Sequence, residues 1–236
     1  MNNSYSPETV QEHVEGVAGH GTEARAEFIL RTYLHLLGAI ILFVLAEFVY
    51  FSTGIAEGFA RFALGTNWLM ILGGFMVVGW LATRTAQSSA SRPAQYLSLV
   101  GYVLAEALLF TPLLYIAQYS TGGGVIESAA LVTLVGFAAL TGVVFVTRKD
   151  FSFLGAVLKW GGVVALLLIV AGIFFGFKLG MFFSVGMIAL AGGSILYETS
   201  AIMRDYPEDR YVAASLSLFA SVALMFWYVL RLFMRR

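Results

Sequence analysis

Apolar residues fall into seven long runs, at roughly 28–53, 66–83, 96–119, 125–147, 152–177, 181–203 and 210–233. Each is about 18–26 residues long, enough for a helix to cross a hydrocarbon core of about 30 Å. A spanning barrel needs alternating segments of about ten residues, which these continuous runs are not. The pattern therefore predicts an all-α integral membrane protein with seven transmembrane helices. The breaks between runs carry loop chemistry. Ser52-Thr53-Gly54 closes the first run, and Arg84 to Gln95 links the second and third. Ser120 to Gly124, Arg148-Lys149-Asp150 and Asp205-Tyr206-Pro207-Glu208-Asp209 mark later boundaries. The thinnest break is Phe177 to Gly180, where only Lys178 and a glycine interrupt apolar sequence. A six-helix count with one re-entrant segment is the alternative at that point. Without a convincing internal repeat, an inverted-repeat transporter is not favoured.

Ahead of the first run, Met1 to Glu27 is polar and carries Glu8, Glu12, Glu15, Glu23 and Glu27. It has no apolar stretch after a basic start, so it does not read as a signal peptide. The expected organisation is a soluble, disordered cytoplasmic tail at 1–27 and a seven-helix membrane domain at 28–236. The first run then acts as an uncleaved insertion signal. With the tail inside, the inner segments hold eight cations: Arg25, Arg31, Arg84, Arg92, Arg148, Lys149, Arg204 and Arg210. The outer side holds five: Arg61, Lys178, Arg231, Arg235 and Arg236. The positive-inside rule thus places the N-terminus in the cytoplasm and the C-terminus outside.

Composition agrees with the pattern. Hydrophobic residues make up 59% of the 236 positions, charged residues 12%, and mean hydropathy is +0.84. A soluble domain is about 25% charged, so half that density leaves surface that must face lipid. The net charge of zero gives no electrostatic footprint for nucleic acid. The absence of cysteine removes disulfides, thiolate metal sites and cysteine nucleophiles together.

Ionisable groups inside the runs are the candidate chemistry, because a charge at membrane depth costs about 2.5–3.5 kcal/mol on insertion scales. Glu106 lies near the middle of the third run and is the deepest carboxylate. Pro112, six residues on, removes a helix hydrogen bond and frees the carbonyl near Leu108. Glu198 lies one to two turns from the inner end of the sixth run, after Ala191-Gly192-Gly193-Ser194, a string that allows close helix approach. Ser217 and Ser221 share a face of the seventh run at i, i+4 spacing, and a carboxylate opposite them forms a polar seam. Arg204 is a candidate snorkelling partner for Glu198. Glu47 and Glu127 are expected near the outer interface in solvent. Lys159 is expected to snorkel inward, and His35 to be packed and hydrogen-bonded.

Several enzyme classes lack their residues. A serine nucleophile needs a histidine base on a facing helix, and His35 is the one histidine within a run, with no strained serine turn near it. His-Glu-x-x-His is absent. The seventh run has no lysine for a retinal Schiff base, and no glycine-rich phosphate loop occurs. No enzyme activity, cofactor or metal site is expected.

Thr147-Arg148-Lys149-Asp150-Phe151-Ser152-Phe153-Leu154-Gly155 resembles a segment of the Bax-inhibitor family. So do Ile195-Leu196-Tyr197-Glu198-Thr199-Ser200-Ala201-Ile202, the stretch Tyr211 to Phe219, and Glu106 to Pro112. The likeness covers roughly 28–234, and its wording is nearest the bacterial YccA-like branch. The resemblance implies a seven-helix bundle around a central C-terminal helix, in the bacterial inner membrane. It implies two functional expectations. One is a modulator of the membrane-bound AAA protease FtsH, the associate of the YccA branch. The other is a pH-sensitive calcium, cation or proton leak, as in relatives whose sixth-helix aspartate faces a seventh-helix aspartate. Those two acids correspond to Glu198 and Ser221, so the carboxylate pair that titrates as a unit is broken here. An arginine that relatives carry on the second helix has its nearest counterparts in Ala82, Thr83 and Arg84.

Overall fold

The computed structural model describes residues 7–66, 68–88, 91–120 and 123–235. The described residues form α1 (Pro7–Ser52), α2 (Ile55–Gly65), α3 (Trp68–Ser88), α4 (Arg92–Ser120), α5 (Val125–Thr147), α6 (Leu154–Phe175), α7 (Met181–Arg204) and α8 (Tyr211–Phe233). A 3₁₀ turn, Glu208–Arg210, leads into α8. Seven of the helices are long and apolar enough to cross a membrane, α2 being the exception. The six-helix alternative fails at Gly176. Its φ of 73° puts it in the left-handed region that glycine adopts without strain, and it ends α6 before α7 begins at Met181.

α1 is longer than the first apolar run: it starts at Pro7, with residues 1–6 outside the described part. Its candidate membrane-crossing portion lies within Thr22–Ser52. α2 is an element that the apolar pattern does not predict. At 11 residues it reaches about 16 Å, too short to span. Ala56, Ala60 and Ala63 form its buried face, packed on α1 and α4. Glu57 and Arg61 pair on the other side, and Phe62 and Leu64 are exposed. This is the pattern of a helix lying in the interface plane.

α8 is the centre of the bundle. Fifteen of its 23 residues are buried, and it packs against α1, α3, α4, α5 and α7. Between helices in lipid, attraction comes from close packing rather than from water exclusion. Gly192 of α7 supplies one such approach, since a Cβ there would stand 3.2 Å from Leu140 Cδ1 and 3.6 Å from Met225 Cε. Aromatic rings supply another. Phe110 of α4 lies 5.2 Å from Phe43, 5.5 Å from Phe226 and 4.9 Å from Trp227, measured between ring centroids. At the rim, α6 rests on α7 and buries only Ala165 and Gly172.

Candidate functional site

α3 packs on α4 and α8, while α6 packs on α7 and α7 on α8. A cleft is left between α3 and the α6–α7 pair, with α8 as its floor. It holds a chamber at each end of the bundle. The proximal chamber, at the end that carries Arg25 and the start of α8, is about 580 Å³ and is lined by Gln87, Tyr197, Glu198, Tyr206, Arg210 and Ser217 among others. The distal chamber, at the end of α8, is about 620 Å³ and includes Glu106, Lys178, Trp227, Arg231 and Arg235. Among the described residues none lines both chambers. On α8 the lining passes from Ser217 to Leu224, a rise of about 10 Å.

Glu198 faces the proximal chamber from the last turns of α7. Tyr206, in the connection to α8, donates its hydroxyl toward Glu198 Oε2 at 3.5 Å and lies 3.3 Å from Ser217 Oγ. The phenol therefore bridges the carboxylate to α8. Burial pushes the Tyr206 hydroxyl well above its usual range, and nearby Glu198 adds to the effect, so it stays a neutral donor. The connection itself is held from α1. Arg25 Nη1 donates to the carbonyls of Tyr206, at 2.6 Å, and Ile202, at 3.5 Å. Its Nε lies 3.9 Å from Glu208 Oε1, and its guanidinium lies over Phe28, which stacks on Tyr206. Sequence reasoning did not find Tyr206 or Arg25. The available signal was an aromatic inside an acidic helix connection, which reads as ordinary loop.

The two serines of α8 part company. Ser217 enters the proximal chamber, whereas Ser221 donates to the Ser217 carbonyl at 3.2 Å and is not among the lining residues. Arg204 does not partner Glu198. It turns to the other side of α7, where it donates to the Lys149 carbonyl at 3.0 Å and Ser200 Oγ at 2.6 Å, and pairs with Asp150 at 2.9 Å. Its charge is needed there to hold the α5–α6 connection.

That connection explains why the two most specific sequence segments occur together. Phe151 N–H donates to Ser200 Oγ at 3.2 Å, and Ser152 N–H donates to Asp150 Oδ1 at 2.8 Å. Backbone and side-chain hydrogen bonds from Ser152, with Arg204 beside them, hold the Asp150 carboxyl below its usual range. The Arg204–Asp150 pair therefore keeps its charge until pH falls below the ordinary carboxylate range. Thr199, the neighbour of Ser200, meets the Tyr33 hydroxyl of α1 at 3.4 Å. Ser200→Ala removes the acceptor for both Phe151 N–H and Arg204 at a buried position. The expected cost is about 1–3 kcal/mol, read by thermal unfolding in detergent. Faster hydrogen exchange confined to residues 148–153 should accompany it.

Glu106 is 6% exposed. It interacts with the Tyr102 hydroxyl one turn earlier on α4, and its Oε2 has no hydrogen-bond partner among the described residues. α4 continues through Pro112, and the Thr111 hydroxyl takes the Ala107 carbonyl at 3.0 Å. Glu47 departs from the expected solvated position. It is 8% exposed with both carboxylate oxygens unpartnered among the described residues. The helical phase of Ile40, Phe43, Val44 and Glu47 turns it toward α4, α5 and α8, where all four line a small apolar cavity. Glu127 and Lys159 are exposed. His35 is bonded to the Arg31 carbonyl and the Tyr96 hydroxyl, at 2.6 and 3.1 Å. Arg84 stacks on Trp80 of its own helix.

A sequence profile described as "Inhibitor of apoptosis-promoting Bax1" matches residues 25–236. The chain belongs to the Bax inhibitor family. Within it, the chain is 36% identical over 113 residues to an uncharacterized protein of Pseudomonas aeruginosa, covering 48% of this chain and 50% of that one. It is 33% identical over 139 residues to the Escherichia coli protein named Modulator of FtsH protease YccA, covering 58% of this chain and 63% of that one. A vaccinia virus Golgi anti-apoptotic protein is 26% identical over 229 residues, covering 92% of this chain and 88% of the viral one. The matches to the two bacterial relatives thus span about half to two thirds of their length. A relative from another Escherichia coli strain, O6:H1, with the same identity and coverage, is named Inner membrane protein YccA. Family membership and the seven apolar helices make this chain a Bax-inhibitor family membrane protein with an all-α bundle.

Proposed function

We propose that the protein binds a membrane-anchored AAA protease of the FtsH type and restrains its degradation of other membrane proteins. It does so from the bacterial inner membrane, with the start of α1 in the cytoplasm. The likeness to a relative named as an FtsH modulator supports the partner. The observation that carries the reading against conduction is the separation of the two chambers, with no carboxylate on the α8 wall of the proximal one, whose second acid, Asp205, comes from the end of α7. Glu198 is instead tied through Tyr206 to Ser217 and, by way of the connection, to Arg25. α1 adds a helix that extends well beyond its membrane-crossing portion and offers a contact surface on the side where such a protease works.

The test is affinity capture from solubilised membranes combined with a turnover assay. The protease is expected to co-purify, and deletion of the protein is expected to shorten the half-lives of the protease's membrane substrates at least twofold. No co-purification together with unchanged half-lives would falsify the reading.

A second reading is a proton or cation leak. The observation favouring it is that the two chambers enter the bundle from opposite ends, with Glu198 lining one and Glu106 the other. Calcium flux into proteoliposomes should then exceed that of protein-free vesicles and fall several-fold in Glu198→Gln. Flux equal to that of empty vesicles removes this reading.

A further inference from the structure

The distal chamber carries a charge pattern that neither function uses. Its mouth holds Lys178, from the α6–α7 connection, with Arg231 and Arg235 from the end of α8. Among the described residues none of the three pairs with a carboxylate. Arg235 donates to the Leu179 carbonyl at 2.8 Å, which anchors it over the mouth. Clustered cations at a pore mouth oppose an incoming cation and favour an anion. Basic pockets between membrane helices are suited to lipid phosphate, and the arginine fork matches phosphate geometry.

Below the mouth the walls turn apolar, with Leu109, Ile169, Ile173, Leu224 and Trp227 among them. The depth follows from helix register. Phe110 of α4 is level with Trp227 of α8, at 4.9 Å between centroids. Glu106 lies one turn deeper than Phe110, and Arg231 one turn nearer the end than Trp227. The chamber therefore runs about 12 Å from Glu106 to Arg231, close to the depth of one leaflet of a hydrocarbon core about 30 Å thick. It opens sideways on the α6 flank, where two of its lining residues, Ile173 and Phe177, are also exposed. Its volume of about 620 Å³ lies within the range of small-molecule sites, about 300–1,000 Å³.

We propose that the distal half of the cleft is a binding site for an anionic phospholipid, its phosphate held by Lys178, Arg231 and Arg235 and one acyl chain laid along the apolar wall toward Glu106. Charge complementarity selects the occupant: a zwitterionic lipid brings its own cation to a mouth that already holds three. The free Oε2 of Glu106 takes a water at the floor of the chamber, and the chain above separates that water from the distal solvent. Bound lipid thus plugs the distal chamber.

The test uses Trp227 as a built-in reporter. Trp68, Trp80 and Trp160 are replaced by phenylalanine, and the full-length protein is placed in phosphatidylcholine nanodiscs. These contain a minor fraction of acyl-brominated phosphatidylglycerol or of acyl-brominated phosphatidylcholine. The anionic lipid is expected to quench Trp227 at least threefold more than the zwitterionic one at equal mole fraction. The double substitution Lys178→Gln, Arg231→Gln should abolish the difference while leaving the helical circular dichroism intact. If the double variant does not fold, Lys178→Gln alone, in an exposed connection, is expected to reduce the selectivity at least by half. Equal quenching by the two lipids in the unaltered protein overturns the proposal. So does a selectivity that survives the folded double variant, or the single one where only that folds. The site is independent of the protease reading: failure here leaves co-purification and substrate half-lives unaffected.

Discussion

Phe110→Ala is expected to lower the unfolding free energy of the solubilised bundle by about 3 kcal/mol, the lower end of the range for a buried phenylalanine. The lower end applies because the reference state of a membrane helix is lipid or detergent. Moving a ring from lipid into the core gains little by water exclusion, so the loss is mainly one of packing. Phe110 is 1% exposed and joins α4 to Phe43 of α1 and to Phe226 and Trp227 of α8. Truncation leaves a cavity that three helices border. The control is Phe174→Ala, on the outer face of α6 and 74% exposed, which should stay within about 0.5 kcal/mol of the parent. Thermal or denaturant unfolding followed by circular dichroism distinguishes the two. Equal losses for both variants would mean that α8 is not gripped through this aromatic layer.

Arg25→Ala should release the α7–α8 connection. Two carbonyl hydrogen bonds, a loose ion pair and a ring contact go together. Hydrogen bonds from a charged donor contribute about 1.5–3 kcal/mol, which corresponds to roughly ten- to hundredfold faster amide exchange in residues 205–210. Arg25→Lys keeps the charge but loses the Nε arm beside Glu208 and the planar face over Phe28, so it should fall between the parent and alanine. With the connection loosened, Tyr206 no longer bridges Glu198 to Ser217, and the proximal chamber gains access to solvent. Unchanged exchange across 205–210 in Arg25→Ala would show that the connection is held by other contacts.

The seven spans were legible because each is a continuous apolar run bounded by turn residues, a signal that survives any packing arrangement. The weakest boundary, Phe177 to Gly180, rested on Lys178 and one glycine, and the structure ends α6 slightly earlier, at Gly176. α2 escaped because its buried face consists of three alanines, too small to register as a hydrophobic run. The site was harder. Glu106 and Glu198 stood out as carboxylates at membrane depth, and each lines a chamber. Their partners could not be read from spacing. Ser217 and Ser221 share a helix face, yet which one meets Glu198's chamber depends on how α8 is rotated against α7. Arg204 lies six residues from Glu198 in sequence but is drawn away by the α5–α6 connection. Glu47 looked interfacial by position along α1, and only the angular placement of α4, α5 and α8 around it shows that it is covered.

The central position of α8 also constrains how the protein is made. α8 follows every helix it packs against in chain order. During synthesis α1, α3, α4, α5 and α7 enter the bilayer around a space that their eventual neighbour has not yet filled. That interval lasts on the order of seconds at about 5–20 residues per second. Over that time Phe43, Phe110 and Gly192 face lipid or one another instead of Phe219, Met225 and Trp227. A chain halted after α7 carries all the walls and no core, so surveillance of the unfinished molecule must be quick or the unfinished molecule must wait without pairing wrongly. Gly192 then lets the final helix seat closely against α7 when it arrives.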